Sequence, residues 1–121
     1  MSTLLKNKVA IVTGSAQGIG EATSGVLSRE GALVMMCDIN SRKLVDTARD
    51  ISQETGNICN TYNVDVTNEA QVIKTVQEIV RKYKKIDILV NCAGIAAKLT
   101  PVTKINEEDK SRISRSNILF F

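Results

Sequence analysis

The chain has 121 residues, and its 43% apolar and 24% charged content is that of one ordinary globular domain with a real core, not of a disordered segment. A net charge of +3 is too small to imply a nucleic-acid partner. The only basic cluster, Arg81, Lys82, Lys84 and Lys85, lacks interleaved aromatics and suits the negative end of a helix dipole.

The elements follow in chain order. Val9 to Val12 is a compact apolar run that meets a glycine-rich turn, as a strand buried on both faces would. Ile19 to Glu30 has helical spacing, with Ile19, Ala22, Val26 and Leu27 expected to share the buried face and Gly31 as the stop. Ala32 to Cys37 reads as a second buried strand. Ser41 to Thr55 repeats Leu44, Val45, Ala48 and Ile51 at helical period and ends at Gly56. Ile58 to Val64 is a more mixed strand. Thr67 is then the expected cap of a helix whose stripe is Val72, Val76, Ile79, Val80 and Tyr83. Ile86 to Val90 is a fourth strand. After the single proline, Pro101, Asn106 is placed to cap a last helix with Glu107, Glu108 and Asp109 in its first turn. The order βαβαβαβα implies an α/β domain built on a parallel sheet, and right-handed crossovers leave few topologies.

The junction of the first strand and first helix is Thr13-Gly14-Ser15-Ala16-Gln17-Gly18-Ile19-Gly20. Gly14 lets the chain leave the strand in a tight turn. Gly18 leaves no side chain where a pyrophosphate would approach the backbone, and Gly20 allows close packing of the helix. The helix start offers unpaired N–H groups and a partial positive charge to phosphates. No Gly-Lys-Ser/Thr follows, which disfavours a nucleoside-triphosphate loop. Asp38 closes the second strand about 20 residues beyond the turn, where a carboxylate binds an adenosine ribose. It would repel a 2′-phosphate, so NAD is expected over NADP. Ile39 follows it directly, while Arg42 and Lys43 come slightly later and soften that preference.

With these motifs the chain resembles the short-chain dehydrogenase/reductase family from Lys8 to about Asn117. The segment Thr13 to Gly20 is similar to that family's glycine motif. Asn63-Val64-Asp65-Val66-Thr67 is similar to its segment after the third strand, which implies an adenine contact by the Asp65 carboxylate and the Val66 N–H. Leu89-Val90-Asn91-Cys92-Ala93-Gly94 resembles the family's Asn-Asn-Ala-Gly motif, with Cys92 in place of the second Asn. The implied fold is a Rossmann-type doubly wound parallel sheet of about four βα units in strand order 3-2-1-4. The implied cofactor residues are Gly14, Ser15, Gln17, Gly18, Ile19, Gly20, Asp38, Ile39, Asp65, Val66, Asn91, Ala93 and Gly94. Asn117, in the expected last helix, matches a water-holding Asn of the family's proton relay, although no Gly follows it here. The implied substrate is a small alcohol or carbonyl compound, with homo-oligomers common in the family.

The family's catalytic Ser and Tyr-x-x-x-Lys have no counterpart. Tyr62 has Val66 four residues on, and Tyr83 has Asp87. The expectation is therefore a cofactor-binding half, from a truncated product or a partial chain. A non-catalytic binding or interaction module is the alternative, and a methyltransferase is disfavoured by the glycine spacing. With no His and three well-separated cysteines, no metal site is expected. Cys37, Cys59 and Cys92 read as buried free thiols of a reducing cytosol. No apolar run nears the roughly 20 residues of a membrane span, and Met1 to Lys8 lacks a signal peptide's apolar stretch.

Overall fold

A computed structural model of the chain describes residues 4–93. Seven elements follow one another: β1 (Val9–Thr13), α1 (Gly18–Arg29), β2 (Leu33–Asp38), α2 (Ser41–Thr55), β3 (Asn60–Asn63), α3 (Glu69–Tyr83) and β4 (Ile88–Asn91). The strands form one parallel sheet in the order β3-β2-β1-β4, the order expected from the sequence. The chain steps outward from β1 to β2 and β3, then returns through α3 to the other side of β1. The reversal leaves a crevice beyond the carboxyl ends of β1 and β4, where open α/β sheets bind ligands. Register brings those ends level, with Thr13 beside Cys37 on one side and Asn91 on the other.

Two apolar layers clothe the sheet. Ala10, Val12, Val34 and Met36 face Leu44, Ala48 and Ile51 of α2. Val9, Ile11, Met35 and Cys37 face Val64 and the α3 residues Val72 and Ile79. Alternate residues of β1 thus serve opposite layers, and all five are buried. Truncating a side chain such as Ile11 would cost about 2–5 kcal/mol.

The helices depart from the sequence reading in instructive ways. In α1 the buried residues are Gly20, Ser24 and Ser28, four apart, while Ile19 and Val26 are 77% and 53% exposed. Ala22 is exposed too, and only Leu27 of the expected face is half-buried against the core. Small residues win because α1 begins in contact with the glycine turn, and bulk there would push the helix away. In α2 and α3 the apolar stripes hold, but Val45 and Val80 lie at their solvent edges, 51% and 40% exposed. The cap of α3 is Asn68, whose side chain accepts from the Gln71 N–H. Thr67 instead donates its hydroxyl to Asp65. The basic cluster does lie at the carboxyl end of α3: Arg81 and Lys82 are in its last turn, and Lys84 takes the left-handed cap position. The expected last helix at Asn106 lies outside the described residues.

Candidate functional site

The glycine turn is fixed by contacts its sequence demands. Gly14 has φ +63°, and a Cβ there would lie 2.7 Å from the Ala93 backbone nitrogen. Both conformation and space therefore require glycine. At Gly20 a Cβ would fall 2.0 Å from the Gly14 carbonyl oxygen, so the close approach is between helix and turn rather than helix and sheet. Gly18 differs: its φ is +61°, but a Cβ would meet nothing within 4 Å. It faces open space in the crevice.

The turn is held to β2. The Ser15 N–H and the Ser15 hydroxyl both donate to the Cys37 carbonyl, each at 3.1 Å. The Ala16 N–H donates to Asp38 Oδ2 at 2.9 Å, and Asp38 Oδ1 accepts from the Asn40 N–H at 3.0 Å. Asp38 thus joins the glycine turn to the loop that starts α2. The amides of Ser15 and Ala16 are spent in this way, whereas α1 begins without a side-chain cap and its first intrahelical bond is Glu21 N–H to the Gln17 carbonyl. The N–H groups of Gly18, Ile19 and Gly20 are left as the donors at the helix start. Helices α2 and α3, by contrast, are capped by Asn40 and Asn68.

The other wall comes from β4. Thr13, fully buried, accepts from the Cys92 N–H at 3.1 Å and the Ala93 N–H at 3.2 Å, and donates to Asn91 Oδ1 at 3.4 Å. One hydroxyl locks the end of β1 to the segment that leaves β4. At the β3 side, Asn63 Nδ2 donates to the carbonyls of Asp38 and Ile39. Asp65 Oδ1 accepts from the N–H and hydroxyl of Thr67, and the Asp65 N–H donates to Gln71 Oε1.

These pieces enclose a cavity of about 460 Å³ at the carboxyl ends of the strands, within the range of roughly 300–1,000 Å³ typical of ligand sites. Of the residues singled out in the sequence, Gly14, Gln17 and Gly18 line it on one side, Asp38, Ile39, Asp65 and Val66 on the other, and Ala93 closes it. Ser15, Ile19, Gly20 and Asn91 do not line it; Ser15 is buried with its hydroxyl turned to Cys37. Gly94 and Asn117 lie outside the described residues. Asn40, Val64, Thr67 and Cys92 line the cavity as well, none of them named among the cofactor residues, although the last three stand in the sequence motifs. Asn40 carried a signal as the cap of α2. Cys92 corrects the reading of three buried thiols: Cys37 and Cys59 are buried, but Cys92 is half-exposed. Burial, and then the Asp38 charge, push the Cys37 thiol up to about 12. That thiol is inert at neutral pH.

A dinucleotide fits these residues: open space over Gly18, an uncapped helix start, and a carboxylate at the end of β2, the arrangement that favours NAD over NADP. Among the described residues no group of three or more His, Cys, Asp or Glu could hold a metal ion, and no helix is long and apolar enough to cross a membrane.

Comparison with known proteins agrees with this geometry. The model of the short chain dehydrogenase family matches residues 8–119. A 3-oxoacyl-(acyl-carrier-protein) reductase, FabG, of Thermotoga maritima is 35% identical over 94% of this chain and 46% of its own length. A sorbitol dehydrogenase of Cereibacter sphaeroides is 37% identical over 94% of this chain and 43% of its own. The NAD+-bound crystal structure of a xylitol dehydrogenase superposes with a TM-score of 0.87 at 35% identity, covering 94% of this chain and 44% of the other. A short chain dehydrogenase from Shigella flexneri, complexed with NADP, gives 0.89 at 26% identity over 98% and 50%. The chain therefore spans about half the length of the relatives it matches. A glycine turn locked to β2 and β4 over a cofactor-sized crevice, together with a family match over residues 8–119, makes this chain a member of the short chain dehydrogenase family.

Proposed function

We propose that this chain is the NAD(H)-binding part of an oxidoreductase that interconverts an alcohol and a ketone, or reduces a 3-oxoacyl group. The observation that carries the reading is Asp38, whose carboxylate lines the crevice opposite the uncapped start of α1. A pyrophosphate would lie against the N–H groups of Gly18, Ile19 and Gly20. The adenosine ribose would donate to Asp38, which has lone pairs beyond those used by Ala16 and Asn40. Ile39, Asp65 and Val66 would hold the adenine, and Cys92 and Ala93 would face the far end of the cofactor from the β4 wall. The relatives named above include enzymes of both substrate classes, and their solved neighbours bind either NAD+ or NADP; the Asp38 charge sides with NAD.

The bound cofactor would accept or donate the hydride. This chain's own residues bind it, orient it and line one side of the crevice. Neither tyrosine serves as the acid/base group. Tyr62 and Tyr83 do not line the cavity, and the Tyr83 hydroxyl accepts from Asn60 Nδ2 at 3.0 Å. The isolated chain is thus expected to bind NADH and not to turn over. The test is to follow NADH absorbance with simple ketones, polyols and a 3-oxoacyl thioester, beside a binding titration. Binding without turnover supports the reading. Turnover by the chain alone would show that it carries its own acid/base group, and absence of binding would favour a non-catalytic module.

A further inference from the structure

We propose that Thr47, a residue of α2 that does not line the cavity, is a positioning residue for the phosphate-binding turn. The inference rests on the dinucleotide reading above. Thr47 is 4% exposed, and its hydroxyl donates to the Ala16 carbonyl at 2.6 Å, across 31 positions of sequence. The Ala16 N–H is held by Asp38 at 2.9 Å. Ala16 is therefore gripped at both its amide and its carbonyl.

The choice of partner is unusual for a helical hydroxyl. Ser52, Thr55 and Thr75 each donate to the carbonyl four residues back in their own helices, the ordinary local bond of such residues. Thr47 reaches out of α2 to the turn instead. What it holds needs holding. Gly14 and Gly18, both at positive φ, bracket Ser15, Ala16 and Gln17, and glycines lose the most freedom on ordering. The carbonyl that Thr47 grips belongs to the peptide that carries the Gln17 N–H, and Gly18 and Ile19 follow. Fixing that peptide fixes the aim of the donors at the start of α1 before any anion arrives, and preorganisation of this kind raises affinity without a new ligand contact.

The test compares ADP, which uses the phosphate-binding turn, with adenosine, which does not. Both are titrated by NMR into the wild-type chain and the Thr47→Val and Thr47→Ser variants. The expected result is that Thr47→Val weakens ADP about fivefold, the worth of one ordinary hydrogen bond. Adenosine should hold within about twofold, and Thr47→Ser, which keeps the hydroxyl, should restore ADP. Unchanged ADP affinity, or equal losses for ADP and adenosine, overturns the proposal, as does a Ser variant as weak as the Val variant. If Thr47→Val does not fold, Thr47→Ala is read by the same criteria. A wild-type chain that binds neither ADP nor NADH sinks the dinucleotide reading and the clamp together. A wild-type chain that binds both, beside an unaffected Thr47→Val, sinks the clamp alone.

Discussion

Two glycines of one helix should respond to the same substitution with opposite signs. A Cβ at Gly20 would lie 2.0 Å from the Gly14 oxygen, 2.6 Å from the Gly14 carbonyl carbon and 2.9 Å from Ser15 Cα, all backbone. Ordinary carbon–oxygen contacts begin at about 3.3 Å, so turn and helix must separate by more than an ångström. Forced overpacking costs about 1–3 kcal/mol or more, against a gain in helix propensity of about 0.8–1 kcal/mol. The clash wins, and Gly20→Ala should lose about 1–2 kcal/mol. Gly25 sits in the same helix with nothing within 4 Å of its Cβ position. There only propensity and chain entropy act, and Gly25→Ala should gain about 0.5–1 kcal/mol. Urea denaturation followed by circular dichroism measures both. A Gly20→Ala variant as stable as wild type would refute the close approach of α1 to the turn, and a destabilised Gly25→Ala would refute the open space at Gly25.

Three further outcomes follow from the same contacts. Thr13→Val leaves the Ala93 N–H without its acceptor, while the Cys92 N–H keeps the Thr13 carbonyl, so about 1–2 kcal/mol should be lost in urea while Thr13→Ser stays near wild type. Asp87 is held below its ordinary carboxylate value by the Val9 N–H and then by Lys85; its contribution is present above the unfolded carboxylate range and fades as pH falls through the lowered value, below about 4. Asp87→Asn should flatten stability over that acid window and leave the neutral slope unchanged. A thiol-specific reagent should label Cys92 well before Cys37 and Cys59 under native conditions, and NADH should slow that labelling because Cys92 lines the cavity; equal rates for the three, read by mass spectrometry of tryptic peptides, would contradict the burial pattern.

Much of this was legible in the sequence, because strand runs buried on both faces announce themselves. Val9–Val12 and Ala32–Cys37 became the central strands, and strong helical stripes marked α2 and α3. The inner face of α1 was not legible. Apolar period favours Ile19, Ala22 and Val26, but the helix is seated by smallness, at Gly20, Ser24 and Ser28. The glycine spacing was the available signal, since a residue that must be glycine for contact implies small neighbours on its own face. The cap of α3 slipped from Thr67 to Asn68 because both side chains suit the role and Asp65 engages Thr67 first. Around the crevice, residues fixed by local pattern, such as Gly14, Gly18 and Asp38, could be named as candidates from sequence, and they line it. Those acting across the sheet, such as the Thr13 hydroxyl joining β1 to β4 and Thr47 reaching Ala16, carry no local signature. They depend on register, which appears only when the strands are paired.

The central claim is that the crevice beyond β1 and β4 is a dinucleotide site whose Asp38 selects NAD. Titration of the chain with NADH and with NADPH, in wild type and Asp38→Ala, tests it most directly. The account predicts saturable binding with NADH preferred by about tenfold or more, as expected when a 2′-phosphate meets a carboxylate, and a ratio near one in the variant. Because Asp38 also holds the Ala16 N–H, both affinities should fall in the variant, so the ratio is the decisive quantity. Equal wild-type affinities, or a preference that survives the loss of Asp38, would contradict the account.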